Sequence, residues 1–279
     1  MIIDVKTIVK NKKEELIKKI DKLKENNIVP KLVLICASDD KASEIYVSKK
    51  RNMCKEVGIE EEEFLFDTLV TTDKIIGVIK KLNDDISVDG ILVQLPLYKH
   101  LDENKILNSI SPCKDVDGLH PLNLGRLFAN ESGIVSCTPK GIMTVLDDLN
   151  IHIAGSNVVV IGRSILVGKP IAALLLNRNA TVTICHSKTE NLKLFTLNAD
   201  ILIVAVGKPK IITDDMVKEG SIVIDVGINR TENGKIIGDV DTENVNKVAK
   251  FTTPVPGGIG LTTVLSLLEN VVKVSENRS

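Results

Sequence analysis

Tryptophan is absent from this chain of 279 residues, and there are only two tyrosines and five phenylalanines. So few aromatic faces exclude the stacking platform on which single-strand nucleic-acid binders hold bases. An excess of charge is also lacking: 36 Lys and Arg stand against 37 Asp and Glu, for a formal net charge of -1. That balance makes no long-range field to hold nucleic acid or an anionic membrane, so neither is expected as a partner. Long apolar runs are missing too. The longest, such as 171–176, fall far short of a bilayer span. Glu14 and Glu15 argue against a mitochondrial transit peptide, and no signal-peptide core follows. The five cysteines, Cys36, Cys54, Cys113, Cys137 and Cys185, form no CxxC pair or Cys/His cluster with zinc spacing. Neither a disulfide frame nor a metal site is expected. They read as reduced thiols in a reducing compartment, which points to the cytoplasm. No triad is legible around Cys137 that would make it a nucleophile.

A hydrophobic content of 43% suffices for two modest domains or one large one. The lysines of 6–24 accompany Ile8, Leu16, Ile20 and Leu23 at helical spacing, so they line a solvated helix face. Apolar strand-like runs are expected at 31–37, 63–67, 90–94, 157–161, 181–185, 201–206 and 222–226. Amphipathic stretches such as 42–57, 74–84 and 169–178 alternate with them. This pattern predicts an α/β fold of two βαβ-type domains, with parallel sheets buried on both faces. An irregular stretch rich in Pro, Gly and Asn, 112–139, separates the two series. A final apolar helix is expected at about 261–274.

The second series opens with a strand, a turn and a helix start: Val158-Val159-Val160-Ile161-Gly162-Arg163-Ser164, then Gly168-Lys169-Pro170. Gly162 permits a tight turn, Gly168 permits close approach of helix and strand, and Pro170 suits a first helical turn. Such a loop aims free backbone N–H groups at an anion. The full GxGxxG fingerprint is not present, since Ser164 replaces its second glycine. An NAD site ends its next strand with an acid that accepts from the ribose 2′-hydroxyl. Here that strand runs into His186-Ser187-Lys188-Thr189 with no acid. Arg163, Ser187 and Lys188 can instead gather around a 2′-phosphate, which favours NADP over NAD.

Tyr46 and Lys50 lie one helical turn apart on one face. Gln94 ends an apolar strand just before Pro96, where parallel sheets hold ligands. Asp115 and Asp117 share a glycine turn, too sparse a pair for a metal site. With these in order come Asp89-Gly90-Ile91-Leu92-Val93-Gln94-Leu95-Pro96, Lys114-Asp115-Val116-Asp117-Gly118, Asn123-x-Gly125-Arg126-Leu127, Cys137-Thr138-Pro139-x-Gly141 and Thr253-Pro254-Val255-Pro256-Gly257-Gly258. Together, over essentially the whole chain, they resemble the bifunctional methylenetetrahydrofolate dehydrogenase/cyclohydrolase family.

The resemblance implies oxidation of methylenetetrahydrofolate with NADP, then hydrolysis of the methenyl product to 10-formyltetrahydrofolate. It implies Lys50 as the main catalytic residue, Gln94 as its partner, Tyr46 stacked on the substrate and Asp117 on the pterin edge, with Asp115 structural. Val93 and Leu95 belong to the substrate stretch around Gln94. Gly162, Arg163, Ser164, Ser187, Lys188 and Ile228 would hold the cofactor. Pro256, Gly257, Gly258, Ile259 and Gly260 would line the substrate side, so the last helix would pack back on the first domain. The expected division is 1–137 with 256–279 as the folate-binding catalytic domain and 138–255 as a Rossmann-like NADP-binding domain, in a homodimer. Water attacking the methenyl carbon must lose a proton, which Lys50 can take only as a neutral amine; an apolar cleft and the cationic substrate favour that form.

Two readings compete. A short-chain dehydrogenase also carries Tyr-x-x-x-Lys, but there the glycine loop precedes the pair, whereas here Tyr46 comes long before Gly162. A non-catalytic NADP-binding regulator would have no need of Lys50, Gln94 and Asp117 together. The chain departs from the family pattern at Cys36-Ala37-Ser38-Asp39-Asp40-Lys41, which lacks the usual glycine and proline. It departs again at Ile259-Gly260-Leu261-Thr262-Thr263, where Leu261 replaces a proline that commonly starts the last helix.

Overall fold

The computed structural model describes residues 1–278, apart from the side chains of 41–46. It divides into two compact units: Asn11–Cys137 with Val264–Ser279, and Thr138–Thr263 with Met1–Lys10. Residues 1–10 and 256–263 therefore group with the second unit rather than with the first. For residues 1–10 the cause is local. Ile2 bridges Thr252, Ile3 N donates to Thr252 O at 2.9 Å, and Thr252 N donates to Met1 O at 3.0 Å. These residues extend the edge of the second sheet.

The N-terminal unit follows α1 (Val5–Glu25), β1 (Lys31–Cys36), α2 (Lys41–Val57), β2 (Glu60–Leu65), α3 (Thr72–Asp84), β3 (Gly90–Gln94), α4 (Glu103–Asn108) and α5 (Pro121–Phe128). Its three strands are parallel in the order β2-β1-β3. On one face Val33, Ile35, Ile91 and Val93 pack with Ile75, Ile79 and Ile106. In α1, Leu16, Ile20 and Leu23 are buried while most lysines are exposed, the solvated face its spacing predicts.

β2 begins three residues earlier than its apolar content suggests, at the Glu60–Glu63 run. Four consecutive glutamates look unlike a strand, but β2 is the sheet edge, where charged side chains are tolerated and discourage further pairing. Glu61 and Glu63 turn toward Arg51, and Glu62 pairs with Lys31 at 2.8 Å.

The C-terminal unit continues with α6 (Cys137–Asp148), β4 (Asn157–Ile161), α7 (Gly168–Asn177), β5 (Thr181–Cys185), α8 (Leu192–Thr196), β6 (Ile201–Val204), β7 (Ile222–Asp225), the short hairpin β8 (Asn229–Arg230) and β9 (Ile236–Ile237), α9 (Thr242–Val245), β10 (Phe251–Thr252) and α10 (Ile259–Ser275). Its five-stranded sheet is parallel, in the order β10-β7-β6-β4-β5. The chain winds outward from β4 to β5, then crosses back to β6 on the other side. The carboxyl ends of β4 and β6 therefore flank a topological switch point, where open α/β sheets hold ligands.

From Val264 onward α10 belongs to the N-terminal unit. There the buried Asn270 donates to Val116 O and Val135 O, both at 2.9 Å, so the last helix packs back on that unit as expected. Among the described residues no helix is long and apolar enough to cross a membrane. None of them form a group of three or more His, Cys, Asp and Glu suited to a metal ion.

Candidate active site and cofactor loop

In the N-terminal unit, α2 brings Lys50 to the end of β3. Lys50 Nζ donates to Gln94 Oε1 at 2.8 Å, and Gln94 Nε2 donates to Leu95 O at 2.7 Å. The amide is thereby oriented, its oxygen facing the lysine. Ile91 N donates to Lys114 O at 2.8 Å, which lays residues 114–116 alongside β3 and carries Asp117 to the same end of the sheet. Burial raises the Asp117 carboxyl above the usual range; the Lys50 charge opposes this, Asp115 adds to it, and a bond from the Cys137 thiol lowers it. Lys50, Gln94 and Asp117 thus form one electrostatic cluster.

Asp115 faces the other way. It is 3% exposed, and its Oδ2 accepts from His120 N at 2.8 Å and Asn123 Nδ2 at 2.9 Å, fixing the turn and the start of α5. Val93 lies within the hydrophobic core, leaving only its backbone for a ligand, and Leu95 packs against that core. Tyr46 lies outside the described side chains. Asn270 is a neighbour that motif reading passed over, and it lies beside the Cys137 of the motif. Cys137 Sγ donates to Val116 O at 3.3 Å, so thiol and amide hold the same carbonyl just ahead of Asp117. An asparagine inside an apolar helix was the available signal, since such residues are rarely buried without partners.

In the C-terminal unit the loop from β4 to α7 is a backbone cradle. Gly162 has φ +126°, and a Cβ there would overlap Ala205 O; a Cβ on Gly168 would overlap Gly162 O. Ser164 Oγ accepts from Val167 N at 3.2 Å and caps the approach to α7. Gly162 N donates to Cys185 O at 2.9 Å, and Ile161 pairs with Cys185, so Arg163 and the 186–188 turn leave neighbouring strand ends. Arg163, Ser164, Ser187 and Lys188 are all exposed there. The turn holds its own shape: Thr189 Oγ1 accepts from His186 N at 2.9 Å, and His186 Nδ1 accepts from Lys188 N at 3.2 Å. A glycine cradle at a helix start, with two cations and no acid beside it, fits an anionic dinucleotide bearing an extra phosphate.

Ile228 is 48% exposed, and its Cδ1 lies 3.9 Å from where a side chain on Gly260 would begin. That places the 256–260 stretch beside the turn after β7. Pro256 and Gly260 are exposed, whereas Gly258 and Ile259 are buried. Leu261 N donates to Gly258 O at 2.9 Å in the first turn of α10. A proline there has no N–H to give, so this departure adds a hydrogen bond rather than breaking the helix start.

Residues 3–117 match the family model described as tetrahydrofolate dehydrogenase/cyclohydrolase, catalytic domain, and residues 136–279 match its NAD(P)-binding domain. A curated relative from Campylobacter hominis, bifunctional protein FolD, is 52% identical over 277 residues, 99% of this chain and 98% of that protein. The crystal structure of the bifunctional FolD dehydrogenase/cyclohydrolase from Campylobacter jejuni superposes with a TM-score of 0.98 at 46% identity, covering 100% of this chain and 99% of that one. The Trypanosoma brucei methylenetetrahydrofolate dehydrogenase-cyclohydrolase, solved with NADP cofactor and inhibitor, gives 0.94 at 33% identity, covering 100% and 98%. With both domain models matched in order and relatives this similar over the full length, the chain belongs to the tetrahydrofolate dehydrogenase/cyclohydrolase family.

Proposed function

We propose that this chain oxidises 5,10-methylenetetrahydrofolate with NADP and hydrolyses the methenyl product, with Lys50 as the proton-handling residue of the hydrolytic step. The observation that carries this is the Lys50–Gln94 bond at 2.8 Å beside Asp117. Asp117 binds the paired N–H groups of the 2-amino-4-oxo pterin edge through its two oxygens. Gln94 orients the Lys50 amine through its amide oxygen. In hydrolysis a water oxygen bonds to the methenyl carbon as one water proton passes to Lys50 Nζ; one ring C–N bond then breaks, the freed nitrogen gains a proton as the new hydroxyl loses one, and the carbon is left as the formyl group. Tyr46, one helical turn before Lys50, stacks on the substrate, and Pro256, Gly257, Gly258, Ile259 and Gly260 line its side.

The Gly162–Ser164 loop cradles the pyrophosphate, Arg163, Ser187 and Lys188 hold the 2′-phosphate, and Ile228 packs on the cofactor. When bound there, NADP supplies the hydride acceptor. Loss of hydride from the methylene bridge is driven by the adjacent folate nitrogens, so the protein's part is orientation. The enzyme works in the cytoplasm as a homodimer. The deciding experiment is a spectrophotometric assay with methylenetetrahydrofolate, comparing NADP with NAD. Turnover with NADP is expected; no turnover with either cofactor would overturn the reading.

A further inference from the structure

Two buried carboxylates in the C-terminal unit take no part in the roles above. Asp225 ends β7 at 1% exposure, and Asp239 follows β9 at 0%. Like charges this close and this deep persist only where hydrogen bonds compensate them. Here the compensation is entirely directional. Asp239 Oδ2 accepts from Val206 N at 2.8 Å and Gly207 N at 2.9 Å, the second and third residues beyond the end of β6. Its other oxygen accepts from Asn229 Nδ2 at 2.8 Å, and Asn229 immediately follows Ile228. Asp225 Oδ1 accepts from Gly227 N at 2.9 Å and Asp239 N at 3.0 Å, and its Oδ2 from Val240 N at 2.9 Å.

The carboxylates are thus stacked in series. Asp225 ties its own turn to the 239–240 backbone, and Asp239 ties that backbone to the β6 end and to the Ile228 turn. The chain is cut away to let them in: a Cβ on Gly227 would overlap the Asp239 carboxyl, and one on Gly238 would overlap Asp225 Oδ2. Burial pushes the Asp225 carboxyl up to about 6, so at neutral pH it remains mostly an acceptor. The residues so held lie at the switch point. Val206 and Gly207 leave β6 beside the Gly162 cradle, and Ile228 stands 48% exposed at the next strand end.

We infer that Asp239, braced by Asp225, is a positioning residue that sets the β6 and β7 loops to receive the nicotinamide half of the cofactor. The inference rests on the NADP-binding reading above. It predicts that these carboxylates affect hydride transfer and leave hydrolysis alone, because only the first reaction needs the cofactor. Asp239→Asn keeps shape and volume but offers one acceptor and one donor. It can satisfy either the Val206/Gly207 pair or Asn229, not both, and leaves a buried donor unpaired.

The test uses the full chain and three measurements: NADP KM and dehydrogenase kcat, hydrolysis of methenyltetrahydrofolate without added cofactor, and amide hydrogen exchange at Val206 and Gly207. In Asp239→Asn the NADP KM should rise roughly tenfold, dehydrogenase kcat should fall, and both amides should exchange faster. Hydrolysis should stay within about twofold. Unchanged KM and exchange, or equal loss of both activities, overturns the inference. If that variant does not fold, Asn229→Ala keeps both carboxylates and should give the same split at smaller size; equal losses there overturn it too. A wild-type protein that fails to use NADP sinks the functional reading, while the exchange rates still decide whether Asp239 holds the loops.

Discussion

The two halves of the proposed chemistry are built from different materials. In the N-terminal unit the site is made of side chains: an amine on an amide, and a carboxyl whose ionisation answers to that amine and to a neighbouring thiol. In the C-terminal unit it is made of backbone: a glycine cradle, a helix start and a turn, with exposed cations at the rim. Side-chain chemistry decides reactions, and backbone shape decides where a large anion rests. Substitutions in the first half should therefore separate the two activities, and those at the rim of the second should separate the two cofactors.

The largest effect expected is at Lys50. Lys50→Met keeps much of the apolar stem and removes the amine, so methenyl hydrolysis should fall by roughly 10²–10⁴-fold while some NADPH formation survives. Lys50→Arg should fail at hydrolysis as well, since guanidinium does not give up its proton near neutral pH. Wild-type hydrolysis by Lys50→Met would break the comparison at its root. Next comes Asp117→Ala. Losing a charge-assisted contact should raise the folate KM in both assays by roughly 10–150-fold. Asp115→Ala should instead appear as a lower melting temperature, because its bonds run to His120 N and Asn123. Reversed outcomes for the two aspartates would exchange their roles.

Smaller is the rim. Arg163→Ala or Lys188→Ala should weaken NADP by roughly tenfold, the low end for a charge-assisted contact because both side chains are exposed. NAD should be little affected; equal losses would show that these residues only shape the loop. The slightest effect is on pH dependence. Burial, the main cause, raises the Asp117 carboxyl. The folded state therefore holds that proton more tightly than the unfolded chain. Its contribution to stability is full below the ordinary carboxyl value of 3.8 and declines as pH rises through the raised folded value. Asp117→Asn should flatten that part of the stability curve, measured by urea unfolding from acid to neutral pH. An unchanged slope would show that the carboxyl is not perturbed.

What the sequence revealed follows the same division of materials. Lys50, Gln94 and Asp117 are legible because the chemistry requires those side chains and local spacing puts them at a helix face, a strand end and a glycine turn. The strands β4, β6 and β7 announce themselves as unbroken apolar runs. β2 lies three residues ahead of the expected start and ends two residues before the expected end, because its glutamates are balanced by Arg51 and Lys31, partners that no local pattern discloses. No local pattern in Gly238-Asp239-Val240-Asp241 marks Asp239 out. Its importance lies in bonds to Val206 and Asn229, and those become visible only once the strands are laid side by side.

The interleaving of the two units bears on how the chain comes to fold as it is made. Met1 N donates to Lys250 O, 249 residues away, and Ile3 and Thr252 pair in the same place. Residues 1–3 wait for residues 250–252 before the edge of the second sheet closes. The first unit waits as well, since Asn270 of α10 holds the carbonyls of Val116 and Val135. Contacts of such separation are slow to form, because loop closure precedes any gain from them. Each unit therefore joins segments far apart in the chain, and each carries contacts of long sequence separation.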